Sequence, residues 1–135
     1  MVGAELSAIS DSQARLAYVV ERGGQQSPFP EAQRTESNRV EGCLARLWLT
    51  CEIRAGHCQF ACDSDSAVVK GIAVLLCEFY SGQAPAEVVS VEPLFLSEAG
   101  LARHLSGNRR NALTRVRETI RAFALQHLPV TNPPR

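Results

Sequence analysis

Residues 45–62 read Ala-Arg-Leu-Trp-Leu-Thr-Cys-Glu-Ile-Arg-Ala-Gly-His-Cys-Gln-Phe-Ala-Cys. Leu47, Leu49, Cys51 and Ile53 recur at every second position, with Arg46, Thr50 and Glu52 among the intervening residues. That period of two predicts a half-buried strand from about Ala45 to Arg54. Ala55-Gly56 then reads as a two-residue turn, and His57 to Cys62 as the returning strand. The implied register pairs Ile53 with Cys58, Cys51 with Phe60 and Leu49 with Cys62, all six on one face. A four-residue loop over 54–57 would keep the same pairs. Cys51, Cys58 and Cys62 therefore belong to the packed side of a hairpin, where a free cysteine behaves as a small hydrophobe.

Working outward from the hairpin, Ser10-Asp11-Ser12-Gln13 forms a capping-box pattern, with Ser10 as the cap. Leu16, Ala17, Val19 and Val20 give the helix that follows an apolar face, and Gly23-Gly24 ends it. Residues 25–38, with Pro28 and Pro30, read as a long loop that delivers the chain to Gly42 and Cys43. On the other side of the hairpin, Asp63-Ser64-Asp65-Ser66 offers several helix caps. A helix from Ala67 to Tyr80 is apolar around much of its circumference, which suits a central helix lying across the sheet; Cys77 belongs to its core face. Gly82 is a stop. Pro85 opens a short helix through Val89, and Pro93 opens another segment, Leu94 to Ala99. The last helix is capped by Ser106 and runs to about Gln126, with Leu113, Val116, Ile120 and Phe123 on its buried face. The fold class is α+β: a small antiparallel β-sheet with helices packed on one face, since the strands are consecutive and helices follow in a block.

At 135 residues, 45% apolar and 21% charged, the chain fits one globular domain over 1–135, with residues 1–9 and 129–135 as flexible tails. It has no 18-residue apolar run and no signal-peptide pattern, so the expected location is cytoplasmic, without membrane attachment. Five cysteines without disulfide-scaffold density suggest reduced thiols. The cysteine spacings contain no C-x-x-C, so the zinc signature is absent and no metal is expected. Charge is unevenly spread: residues 1–100 carry seven Lys/Arg against thirteen Asp/Glu, and residues 101–135 carry seven Arg against one Glu. Helical spacing scatters those arginines, and no nucleic-acid-binding motif accompanies them, so nucleic acid is not an expected partner. A zinc- or nucleic-acid-binding module using the cysteines or the C-terminal arginines is nevertheless the rival reading. Cys43 stands apart from the other cysteines. It lies outside the hairpin register, beside Gly42, on the loop feeding the first strand, where a thiol can be presented to another molecule.

The stretch from Asn38 to Trp48, N-R-V-E-G-C-L-A-R-L-W, resembles the active-site segment of the SufE family of sulfur acceptors, which typically reads N-R-V-x-G-C-Q-S-x-V-W. Further blocks agree in order and spacing: D-S-D-S-A-V-V-K-G-I from Asp63, the Ala-Pro-Ala-Glu segment within Ser81 to Val89, and L-A-R-H-L-S-G-N-R-R-N-A-L from Leu101. The likeness spans about residues 12–125. It departs at Leu44-Ala45, where Gln-Ser is usual, and at Gly107 and Ala112, where proline and glycine are usual.

The resemblance implies a persulfide carrier of iron–sulfur cluster assembly. Such a protein takes sulfur onto Cys43 from a cysteine desulfurase of SufS or CsdA type, stimulates that enzyme, and delivers the sulfur to a scaffold such as SufBCD. It implies no cofactor of its own, since pyridoxal phosphate belongs to the desulfurase, and no stand-alone enzymatic activity. By the same transfer, Arg109 corresponds to the family arginine near the cysteine loop and the desulfurase contact. Asp65 and His104 occupy motif positions that support the loop or partner binding, as does Gly42, and Trp48 is the family's packing aromatic.

Overall fold

The structure, a computed structural model, describes residues 12–26, 29–40, 46–92 and 107–128. The fold is α+β, a two-stranded antiparallel sheet with helices packed on one face. Strands β1 (Leu47–Arg54) and β2 (His57–Ser64) pair in the expected register, Ile53 with Cys58, Cys51 with Phe60 and Leu49 with Cys62. The turn is Ala55-Gly56, with φ of 49° and 80°, so both central residues take the left-handed conformation that matches the twist of a tight hairpin. Leu49, Cys58, Phe60 and Cys62 are buried. Toward the turn the same face runs out into solvent, leaving Cys51 half-buried and Ile53 exposed.

Helix α1 (Ser12–Gly24) packs on α2 (Ala67–Tyr80), the central helix. The approach depends on glycine: a methyl group on Gly71 would sit 2.5 Å from the Val19 carbonyl oxygen, and one on Gly23 would sit 2.7 Å from Gly71 Cα. Of the four candidate caps before α2, Ser66 is the one used, its hydroxyl accepting from the Val69 N–H. Asp63 and Asp65 do other work, described below. Helix α2 buries Val69, Ile72, Leu75, Leu76, Cys77 and Tyr80, and stops before Gly82, which adopts φ of 86°.

The outer edge of β2 is closed by the chain that follows α2. Cys58 N–H donates to the Gln83 carbonyl and accepts at its own carbonyl from Gly82 N–H, both at 2.8 Å, while Phe60 N–H donates to Ser81 Oγ at 2.9 Å. Gln26 Nε2 donates to the Cys62 carbonyl at 2.9 Å, so the ladder groups of this edge are covered rather than left to pair with another chain. Helix α3 (Pro85–Ser90) starts on its proline as expected, and α4 (Gly107–Gln126) packs on α2 and α3. The buried face of α4 is Ala112, Val116, Ile120 and Ala124, whereas Leu113 and Phe123 flank it, half-buried. Phe123 meets Phe60 edge-on at 5.8 Å and so ties α4 to the hairpin. The expected Ser10 and Ser106 caps, the segment 94–99 and both expected tails lie outside the described residues.

Candidate functional site

The candidate site is the open end of the hairpin, where residues 39 and 40 lie against β1. Arg39 forms an antiparallel bridge with Trp48, and Val40 N–H donates to the Leu47 carbonyl at 2.8 Å. Val40 and Leu47 are both buried, which fixes the chain where it enters and where it resumes. Residue 46 is held harder still. Its N–H donates to Asp65 Oδ1 at 3.0 Å and its guanidinium Nε to Asp65 Oδ2 at 3.2 Å. Its carbonyl accepts from Asp65 N–H at 3.2 Å and from Ser64 Oγ at 2.7 Å. Segment 41–45, which contains Gly42 and Cys43, therefore departs from and returns to anchored backbone. Gly42 and Cys43 themselves lie outside the described residues, as does His104.

The leader to this segment is tied down by charge. Two short 3-10 turns, Glu31–Gln33 and Glu36–Asn38, order the second half of the expected loop. Thr35 Oγ1 accepts from Asn38 N–H, capping the second turn. Arg34 reaches from the first turn to Asp63 on β2, its Nε at 2.9 Å and its terminal nitrogen at 2.5 Å from Oδ2. Lys70, the only lysine, approaches the other oxygen at 3.5 Å from α2, and Ser64 N–H donates to it at 2.9 Å. Asp63 is the buried charged residue of the described core, with 8% of its side chain exposed. Burial by itself would raise its pKa. The hydrogen bonds from Arg34 and Ser64 and the charges of Lys70 and Arg34 outweigh that and hold the carboxyl below its usual range.

Trp48 lies opposite Asp63 across the hairpin, and two guanidiniums stack on its ring, Arg34 at 5.9 Å and Arg46 at 5.7 Å from the centroid. The indole packs, as expected, but against cations rather than in the apolar core. Arg109 is half-buried in the first turn of α4 and lines a crevice with Val69, Ile72 and Leu113. Val69 belongs to the first turn of α2, four residues after Asp65, so Arg109 and Asp65 both lie toward the N-terminal end of α2.

The thiols of Cys51, Cys58 and Cys77 are poor nucleophiles. Burial pushes the Cys51 thiol up to about 12 and raises Cys58 as well. Cys77 is raised too, first by its hydrogen bond with Cys62 and then by burial. A thiol so shifted is almost entirely protonated near neutrality and cannot act as a thiolate.

Residues 2–124 match the SufE family, described as an Fe-S metabolism associated domain. The chain belongs to the SufE family. Its structure also resembles the solution structure of a hypothetical protein from Thermus thermophilus, with a TM-score of 0.74 at 21% identity, over 91% of this chain and 90% of that one. At that identity the likeness establishes the shared fold. Membership of the SufE family ties the chain to iron–sulfur metabolism, and the rival zinc or nucleic-acid reading gains no support. Among the described residues no group of three or more His, Cys, Asp or Glu side chains is placed to hold a metal ion. On α4, Arg115 pairs with Glu118 and Arg117 with Glu92, which uses two of the arginines in intramolecular contacts. No described helix is long and apolar enough to cross a membrane.

Sequence reasoning finds no role for Arg34, Arg46 and Lys70 at this candidate site, and reads Asp63 only as a candidate helix cap. The expected strand stops at Cys62, whereas β2 runs on to Ser64 and takes Asp63 into the sheet. Nothing local could join Arg34 to it across 29 positions.

Proposed function

We propose that this SufE-family protein is a persulfide carrier with Cys43 as its sulfur-accepting thiol. The supporting observation is that both ends of segment 41–45 are pinned, at Val40–Leu47 and at Arg46–Asp65, while the thiols of Cys51, Cys58 and Cys77 are pushed up out of reactivity. In the step, the Cys43 thiolate attacks the terminal sulfur of a cysteine desulfurase persulfide. A bond forms between Cys43 Sγ and that sulfur, and the S–S bond within the desulfurase breaks. The desulfurase cysteine leaves as a thiolate and the transferred sulfur keeps its proton, so no oxidant or reductant is consumed. Delivery to an iron–sulfur scaffold is the same exchange with Cys43 as donor.

In this reading Asp65 holds the downstream end of the segment through Arg46, and Arg109 stabilises the thiolate or the desulfurase contact from the neighbouring end of α4. Gly42 gives the backbone its clearance beside the thiol, and His104 supports the loop. The test is to mix the protein with a desulfurase and free cysteine, then map added sulfur by mass spectrometry. Sulfur is expected on the Cys43 peptide alone. Undiminished sulfur uptake by Cys43→Ser would refute the assignment.

A further inference from the structure

At Arg46 lies an open groove of about 410 Å3, lined also by the half-buried Trp48, by Arg34 and by Glu31, Asp63, Ser64 and Asp65. Such a volume is within the range of ligand sites. The unspent donors of the groove belong to Arg46 and Trp48. Asp63 spends one oxygen on Arg34 and the other on Ser64 N–H and Lys70. Asp65 spends both oxygens on Arg46. By contrast, Arg46 spends only its Nε, and its two terminal nitrogens have no acceptor among the described residues. The Trp48 indole N–H likewise has none there. Arg34 gives its remaining terminal nitrogen to Glu31, whose side chain is 84% exposed and so is readily exchanged for another carboxylate. Stacking on Trp48 holds both guanidiniums in place before anything binds, which lowers the ordering cost of a bidentate contact.

We propose that this groove seats an acidic side chain, Asp or Glu, of the protein that presents sulfur to Cys43. The proposal rests on the carrier reading, because a donor that reaches segment 41–45 must bring its own surface over residue 46. A single carboxylate matches the unspent donors. A phosphate dianion fits less well, since Glu31, Asp63 and Asp65 already surround the site with negative charge.

Trp48 is the only tryptophan of the chain, so its emission reports the groove directly. Titration with a hexaglutamate peptide should change that emission saturably, and the response should weaken as salt is added. Arg46→Gln should bind the peptide about threefold to tenfold more weakly, and Arg46→Lys should fall between it and wild type. Unchanged thermal melting of the two variants shows that folding is intact, as expected for a side chain that is 60% exposed. No emission change, equal binding by Arg46→Gln, or preference for hexalysine would overturn the proposal. Monomeric N-acetylglutamate binding as tightly as the peptide would point to a small carboxylate ligand and overturn the protein partner.

With a desulfurase, Arg46→Gln, which keeps the backbone hydrogen bonds of residue 46 to Asp65, should raise the half-saturating carrier concentration by about threefold to tenfold. A lowered maximum at unchanged half-saturation would refute a docking role. If the wild-type protein accepts no sulfur at all, the carrier reading fails on its own, and the peptide titration still decides what the groove binds.

Discussion

Replacing Asp63 by asparagine removes one charge from the most heavily paired acid of the described core and keeps the side chain's shape. Removing one partner of a fully buried ion pair costs about 3–5 kcal/mol. Here the carboxylate is buried but its cations are not fully so: Arg34 is 33% and Lys70 29% exposed, and both recover some hydration when released. Asparagine also retains an oxygen that can accept from Arg34. The expected loss at pH 7 is therefore smaller, about 2 kcal/mol, or about 6–10 °C in Tm for a chain of this length. The pH dependence is the sharper test. The Asp63 carboxyl titrates lower in the folded protein than in the unfolded chain. Its stabilisation is thus whole above the unfolded value of ~3.9 and is lost as pH falls through the folded value. Urea unfolding of both proteins from pH 7 down to pH 2.5 should show a gap that is constant to about pH 4.5 and closes below it. Curves that stay parallel to the acid limit would refute the argument, because asparagine's deficit would then be one of packing and not of charge.

Gly71→Ala should be destabilising by about 1–3 kcal/mol despite alanine's better helix propensity, because the added methyl meets the Val19 backbone oxygen at 2.5 Å and backbone cannot move aside as a side chain can; a denaturant midpoint at or above wild type would contradict this. Arg109→Ala should fold normally yet lose sulfur acceptance or desulfurase stimulation, whereas Arg117→Ala, which loses a half-exposed pair with Glu92 and a hydrogen bond with Tyr80, should lose much less of either; equal losses in the two variants would remove any special role for Arg109. Brief iodoacetamide treatment of the native protein near neutral pH, followed by peptide mapping, should label Cys43 and leave Cys58 and Cys77 unmodified until denaturant is added; early labelling of Cys77 would show that the core opens more readily than its packing implies.

What the sequence made legible was local. The hairpin register follows from a period of two on either side of Ala55-Gly56, and shifting it by one residue would expose Cys58, Phe60 and Cys62 together. The bounds of α2 follow from a serine cap, an apolar run and a glycine stop. The buried face of α4 was less legible. Hydrophobicity ranks Leu113 and Phe123 highest, but the line of closest approach goes to Ala112 and Ala124, which let the helix axis come near α2 and α3, while the larger side chains fill the flanks. The ion-pair system at the site was not legible at all. Arg34, Asp63 and Lys70 belong to a 3-10 turn, a strand and a helix, and only the folded chain brings them together. Family resemblance points to Cys43 and Arg109 but gives no hint that Trp48 packs against two arginines.

A carrier with five cysteines has to receive sulfur on one of them, and the fold supplies a physical basis for that choice. A thiol at the ordinary value of ~8.5 is a few per cent thiolate at pH 7, whereas one at about 12, as at Cys51, is lower by a factor on the order of 10^3. Because attack on a persulfide proceeds through the thiolate, that factor enters the exchange rate nearly in full, softened by the greater nucleophilicity of more basic thiolates. The same burial that makes Cys58, Cys62 and Cys77 useful in packing also denies access to an incoming sulfur. Selectivity in the proposed reaction therefore needs no special activation of Cys43. A thiol kept out of that packed core is enough, and Arg109 has only to improve on that advantage. It follows that an Arg109→Ala protein should still place what little sulfur it accepts on Cys43; diversion of sulfur to Cys51 would mean that position and burial do not set the choice.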